Sequence, residues 1–124
     1  MPSFRPTWLL ATLLLCAAPP TLCADHGASY RIAERRIAAK PPTLRVSAGD
    51  VVTIDWRTDE TVRLHLHGYD IELTVQPSAP GQMRLLAHTP GRYPLSAHGF
   101  GAAAGAHAGG HAETTLMYLE VLPR

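Results

Sequence analysis

Two stretches in the middle of this chain alternate strictly between apolar and polar residues. Val52, Ile54 and Trp56 are interleaved with Thr53, Asp55 and Arg57, and soon afterwards Val62, Leu64 and Leu66 are interleaved with Arg63, His65 and His67. Successive side chains of an extended strand point to opposite faces, so a period of two buries one face and leaves the other to water. A helix would scatter these same residues around its circumference. Lys40-Pro41-Pro42, Ser47-Ala48-Gly49-Asp50, Thr58-Asp59-Glu60, Gln76 to Gly81 and Thr89-Pro90-Gly91 punctuate the pattern with turn-forming residues. Each apolar run is therefore short and must be followed by a reversal of the chain.

Between those turns the sequence predicts about eight strands. They are Tyr30 to Ile37, Leu44 to Val46, Val52 to Trp56, Val62 to His67, Tyr69 to Val75, Met83 to Ala87, Tyr93 to Ala97 and Leu116 to Leu122. Only the first is ambiguous, because Ala33-Glu34-Arg35-Arg36 would also suit a helical turn. Leu116 to Leu122 is apolar on both faces, as expected of a strand inside a sheet. Short strands with turn signals every eight to twelve residues indicate an all-β fold, a Greek-key β-sandwich. Its core is expected to contain Val52, Ile54, Trp56, Leu64, Leu66, Ile71, Leu73, Leu85, Tyr93, Leu95, Leu119 and Val121.

The N-terminal segment follows a different logic. Arg5 precedes the apolar run Trp8 to Ala18, Pro19-Pro20 ends it, and Ala24 offers a small residue for cleavage before Asp25. The pattern is that of a secretory signal, residues 1–24, too short and too soon broken to span a membrane. Residues 25–124 then form one domain, exported to the periplasm or secreted, long enough to bury roughly two-thirds of its unfolded surface. Arg5 lies in the leader, so the remaining basic residues balance the ten acidic ones. That neutrality excludes a basic stripe for nucleic acid or anionic lipid. Cys16 and Cys23 are the only cysteines. The exported domain has no thiol, so its stability must come from its core.

Histidine is abundant instead. Five of the seven histidines fall in two groups, His65 with His67, and His98 with His107 and His111. In a strand, His65 and His67 project side by side from one face. His107 and His111 belong to Gly99–Gly110 and its border, a Gly/Ala-rich segment long enough for a loop that brings their imidazoles beside His98. Three or four imidazoles without thiolate or thioether suit copper(II), with zinc or nickel as competitors, and disfavour copper(I). Asp70 or Glu72 would lie close enough to support such ligands. His26, at the expected mature terminus, and His88, on the opposite alternation, stand outside both groups.

Three further stretches carry a family resemblance. LRVSAGDVVTIDW (Leu44 to Trp56), HGYDIELTVQPSAPGQMRLLAHTPGRYPL (His67 to Leu95) and MYLEVLP (Met117 to Pro123) resemble the cupredoxins of the plastocyanin/azurin superfamily and its EfeO-type group. The resemblance implies a copper-binding sandwich in which His67 takes the position of the first ligand histidine. It places a cysteine ligand near Ala97-His98, where this chain has none, lets His107 or His111 stand for the loop histidine, and makes Met117 a methionine candidate that the strand pattern assigns to the core. Without the thiolate, a blue electron-carrying centre is not expected. The sequence thus predicts a metal-binding protein that sequesters, buffers or delivers copper, with another envelope protein as donor or acceptor. The alternative is a metal-free module that binds a partner protein. No Ser/His/Asp or paired-carboxylate pattern stands out and a small neutral sandwich has little room for a substrate pocket, so the protein is expected not to be an enzyme.

Overall fold

The computed structural model describes residues 20, 22–101 and 113–124. Eight strands form two sheets: β1 (Asp25–Ile32), β2 (Thr43–Ser47), β3 (Val51–Thr58), β4 (Val62–Leu66), β5 (Ile71–Val75), β6 (Gly81–Leu86), β7 (Gly91–Phe100) and β8 (Glu113–Leu122). The smaller sheet has the order β1-β3-β6 and the larger one β2-β8-β7-β4-β5. β1 runs parallel to β3 and β2 parallel to β8, whereas the other neighbours are antiparallel. Chain-adjacent strands therefore repeatedly change sheets, as a Greek-key sandwich requires. Among the described residues no helix is long and apolar enough to cross a membrane.

The alternation read from the sequence decides what lies between the sheets. Val52, Ile54 and Trp56 of β3 face Val62, Leu64 and Leu66 of β4 in one cluster, joined by Leu85, Leu95, Leu119 and Val121, all buried. Three expected core residues are only partly buried: Ile71, Leu73 and Tyr93 pack against the cluster from outside. Ile71 and Leu73 belong to β5, the edge strand of the larger sheet, which has a neighbour on one side only. Ile32, Val46, Val75, Met83, Ala87, Ala97, Leu116 and Met117 complete the core among the described residues. Met117 is fully buried, so its thioether is packing material.

The ends of the elements differ from the sequence reading. β1 begins at Asp25, and Ala33 to Arg36 is neither strand nor helical turn. Ala33 and Arg36 exchange backbone hydrogen bonds across Glu34 and Arg35, whose φ angles are 51° and 65°. Two consecutive left-handed residues make a tight reversal, a geometry usually left to Asn and Gly, and so invisible in these residue types. β7 runs on through Gly99 and Phe100, and β8 starts at Glu113, so both strands extend beyond the sequence reading and residues 101–112 connect them. β8 lies inside its sheet between β2 and β7, as its two apolar faces implied.

The turn between β2 and β3 ties the start of β1 to the C-terminal Arg124. Asp50 is 2% exposed, yet its carboxylate accepts hydrogen bonds from the Ser47 and Ala24 backbone N–H groups, the His26 ring and the Arg124 guanidinium. The Ser47 hydrogen bond, with help from Ala24 and Arg124, lowers the Asp50 pKa to about 2 despite desolvation. His26 is occupied here, in a structural network rather than a histidine cluster.

Candidate metal centre

β4 places its polar alternation on the outer face of the larger sheet. Because Leu64 and Leu66 point inward, His65 and the adjoining His67 point outward, and their rings lie 4.2 Å apart between centroids. β7 pairs with β4 so that Ser96 lies opposite His65 and His98 opposite Arg63. His98 thus comes to the same face, one position along the diagonal, with its ring 5.4 Å from His65 and 6.2 Å from His67. One ligand nitrogen from each of His65, His67 and His98 can be chosen so that all three lie within 4.8 Å of one another.

The turn after β4 fixes the second ring. The His67 backbone N–H donates to the Pro94 carbonyl at 3.0 Å. Gly68 follows with φ +82°, and a Cβ there would meet the Tyr93 ring at 2.5 Å. Only glycine fits a left-handed position with an aromatic ring so close, so Gly68 holds His67 where the chain leaves the sheet.

An acid completes the group. β8 pairs Glu113 with His98, which brings its carboxylate to the histidine face. Glu113 Oε1 is hydrogen-bonded to His67 Nε2 and lies 4.0 Å from His98 Nε2. The Ser96 hydroxyl beside it, then the two histidines, hold the Glu113 carboxyl below the usual glutamate range, against some desolvation. Nothing in the sequence pattern singled out Glu113: it stands beyond the Gly/Ala tract, and only the β7–β8 register brings it to His98. Of the acids named from sequence, Asp70 Oδ1 approaches His65 Nε2 at 3.8 Å, while Glu72 is the cross-strand neighbour of His65.

The rings are partly shielded, with side-chain exposures of 21% for His65, 34% for His67 and 26% for His98. His98 Nε2 is buried and, among the described residues, has no hydrogen-bond partner. An orphaned buried nitrogen is costly unless something binds it, and it here faces other ring nitrogens and a carboxylate. The donor set fits a divalent transition metal: three neutral imidazoles, one nearby carboxylate and no sulfur. His107 and His111 lie outside the described residues. His88 is elsewhere, stacked on Tyr69 with centroids 5.0 Å apart, and takes no part in the cluster. At the position where the resemblance puts a cysteine, Ala97 is buried in the core and His98 faces outward.

No protein-family model and no curated protein sequence matches the chain. Solved structures do match. A chain of a heme-copper terminal oxidase dimer is similar at 24% identity, with a TM-score of 0.51, over 75% of this chain and 59% of that one. The multi-copper oxidase of Pseudomonas thermotolerans aligns at 16% identity and TM-score 0.52, over 80% of this chain and 33% of the other. The copper nitrite reductase of Nitrosomonas europaea aligns at 14% identity and TM-score 0.55, over 81% and 42%. The chain spans well under two-thirds of each. At these identities the likeness establishes the fold, which is cupredoxin-like. It also corrects one expectation. The lack of a catalytic triad or carboxylate pair does not exclude an enzyme, because this fold occurs within chains that are copper enzymes.

Proposed function

We propose that the protein is an exported copper-binding protein, with residues 1–24 as a cleaved leader, that holds copper(II) on the outer face of its larger sheet through His65, His67 and His98. The observation that carries this reading is the convergence of three ring nitrogens within 4.8 Å, drawn from two strands whose pairing fixes them there. The bound ion would supply a positively charged, electrophilic centre, and the chain supplies its position. His65 and His67 are set by the β4 alternation, His98 by the β7 register, and Glu113 adds negative charge beside them. Because the rings are a fifth to a third exposed, the ion would be open to exchange with a second protein. That accessibility favours buffering copper or delivering it to another envelope protein. Zinc and nickel suit the same nitrogen set and are the competitors to test.

Titrating the purified exported protein with copper(II) tests the reading. One equivalent should bind with pale colour and a tetragonal paramagnetic resonance spectrum, without intense sulfur-to-copper absorption. His67→Ala and His98→Ala should each weaken binding far more than His88→Ala. Equal affinities in all three would reject the metal site and leave the partner-binding module as the reading.

A further inference from the structure

The reading of the three histidines as a metal centre leaves open what balances the charge of the ion and which oxidation state it has. The atoms around Glu113 bear on both questions. A single carboxylate oxygen, Oε1, lies against His67 Nε2 and 4.0 Å from His98 Nε2. His98 Nε2 is buried and finds no hydrogen-bond partner among the described residues. Two donors bound to one ion at about 2.0–2.2 Å each stand about 3 Å apart when cis, which is also the separation of a hydrogen-bonded nitrogen and oxygen. On binding, an ion would take the place of the proton shared by His67 and Glu113, with the two side chains opening to that separation and Glu113, which stands outside the three-histidine group, moving toward it.

We propose that Glu113 is a fourth ligand, making the centre a three-imidazole, one-carboxylate site that selects copper(II) over copper(I). This rests on the metal reading above and extends it. The selectivity follows from the donors. An imidazole set without sulfur already disfavours copper(I), and a carboxylate, a hard and anionic donor, shifts the preference further toward the dication. The strand register adds a geometric reason. His98 and Glu113 are cross-strand partners on β7 and β8, so their side chains leave the same face side by side. Asp70 is poorly suited to the role: it is 92% exposed and approaches only His65, at 3.8 Å.

The test measures copper(II) and copper(I) affinities of the full exported protein and its Glu113→Gln variant, each by competition with a chelator specific for that oxidation state. Glutamine keeps the size of the side chain and a hydrogen-bonding oxygen for His67 but removes the charge. Glu113→Gln should weaken copper(II) by roughly a hundredfold, at the upper end of what loss of an outer partner alone brings or beyond it. It should leave copper(I) within about threefold, by the donor preferences above, and alter the copper(II) paramagnetic resonance spectrum. A variant that matches the parent for both ions, or one that loses both equally, shows that Glu113 only positions His67; the inference is then overturned while the histidine site stands. If the parent protein binds no copper(II), both readings fall together.

Discussion

Replacing Leu66 by alanine, beside the same change at His65, tests how one strand serves both the fold and the site. Leu66 is fully buried, and its neighbours across the strand are Ile71 of β5 and Leu95 of β7. The change deletes three carbons, worth about 2.4 kcal/mol at about 0.8 kcal/mol per buried carbon. It also leaves a cavity that hydrogen-bonded neighbours on both sides can close only in part, so the total should lie in the range of about 2–5 kcal/mol, near 3. His65 faces outward, and its loss from the metal-free protein should cost under about 1 kcal/mol. Urea unfolding of the protein from Asp25 onward, followed by Trp56 fluorescence, reads both changes, since Trp8 falls in the proposed leader and Trp56 is fully buried. With a slope of about 1–2 kcal/mol per molar for a domain of this size, Leu66→Ala should lower the midpoint by about 1.5–3 M and His65→Ala by well under 1 M. Copper(II) affinity should move the other way, falling steeply for His65→Ala and little for folded Leu66→Ala. Equal midpoint losses would refute the assignment of β4 faces on which the site depends.

Asp50→Asn should destabilise the protein at neutral pH and flatten its acid response. The Asp50 pKa is lowered from 3.8 to about 2 in the folded state, so its contribution is complete above about pH 4 and disappears as the pH falls through about 2. Thermal melts should show the gap between parent and variant closing over that interval; a constant gap would contradict the network. Gly68→Ala forces a left-handed backbone onto alanine and a Cβ onto Tyr93, and should cost about 1–3 kcal/mol and weaken copper(II) binding by displacing His67. A stable variant with unchanged affinity would show that the turn does not set the ligand. Met117→Leu, at a fully buried position, should cost less than about 1.5 kcal/mol and leave copper binding unchanged. A loss of affinity in that titration would make Met117 a ligand after all.

The fold was legible because its strands are half-buried, and a half-buried strand writes its faces into the sequence with a period of two. Val52 to Trp56 and Val62 to Leu66 state both the strand and the side that enters the core. The same alternation placed His65 and His67 together, since residues two apart in a strand share a face. Pairing between strands is not written locally. Which residue of β7 stands opposite Arg63, and which of β8 opposite His98, depends on registers that include bulges between Val62 and Arg63 and between Leu95 and Ser96. Glu113 and Ser96 were missed for that reason. Edge effects were hidden as well: Ile71 and Leu73 alternate like core residues, but β5 has a sheet neighbour on one side only, so they remain partly exposed. Asp50 looked like a turn residue, and only the folded chain shows that it gathers Ala24, His26 and Arg124.

The central claim is that copper(II) is held on the outer face of the larger sheet by His65, His67 and His98. Crystals of the exported protein grown with one equivalent of copper(II), with diffraction recorded on both sides of the copper absorption edge, test it most directly. A single anomalous peak is predicted among those three rings, at about 2.0–2.1 Å from one nitrogen of each, distances usual for imidazole on such an ion. A peak at the amino end beside His26, or no ordered peak in crystals that contain copper, would contradict it.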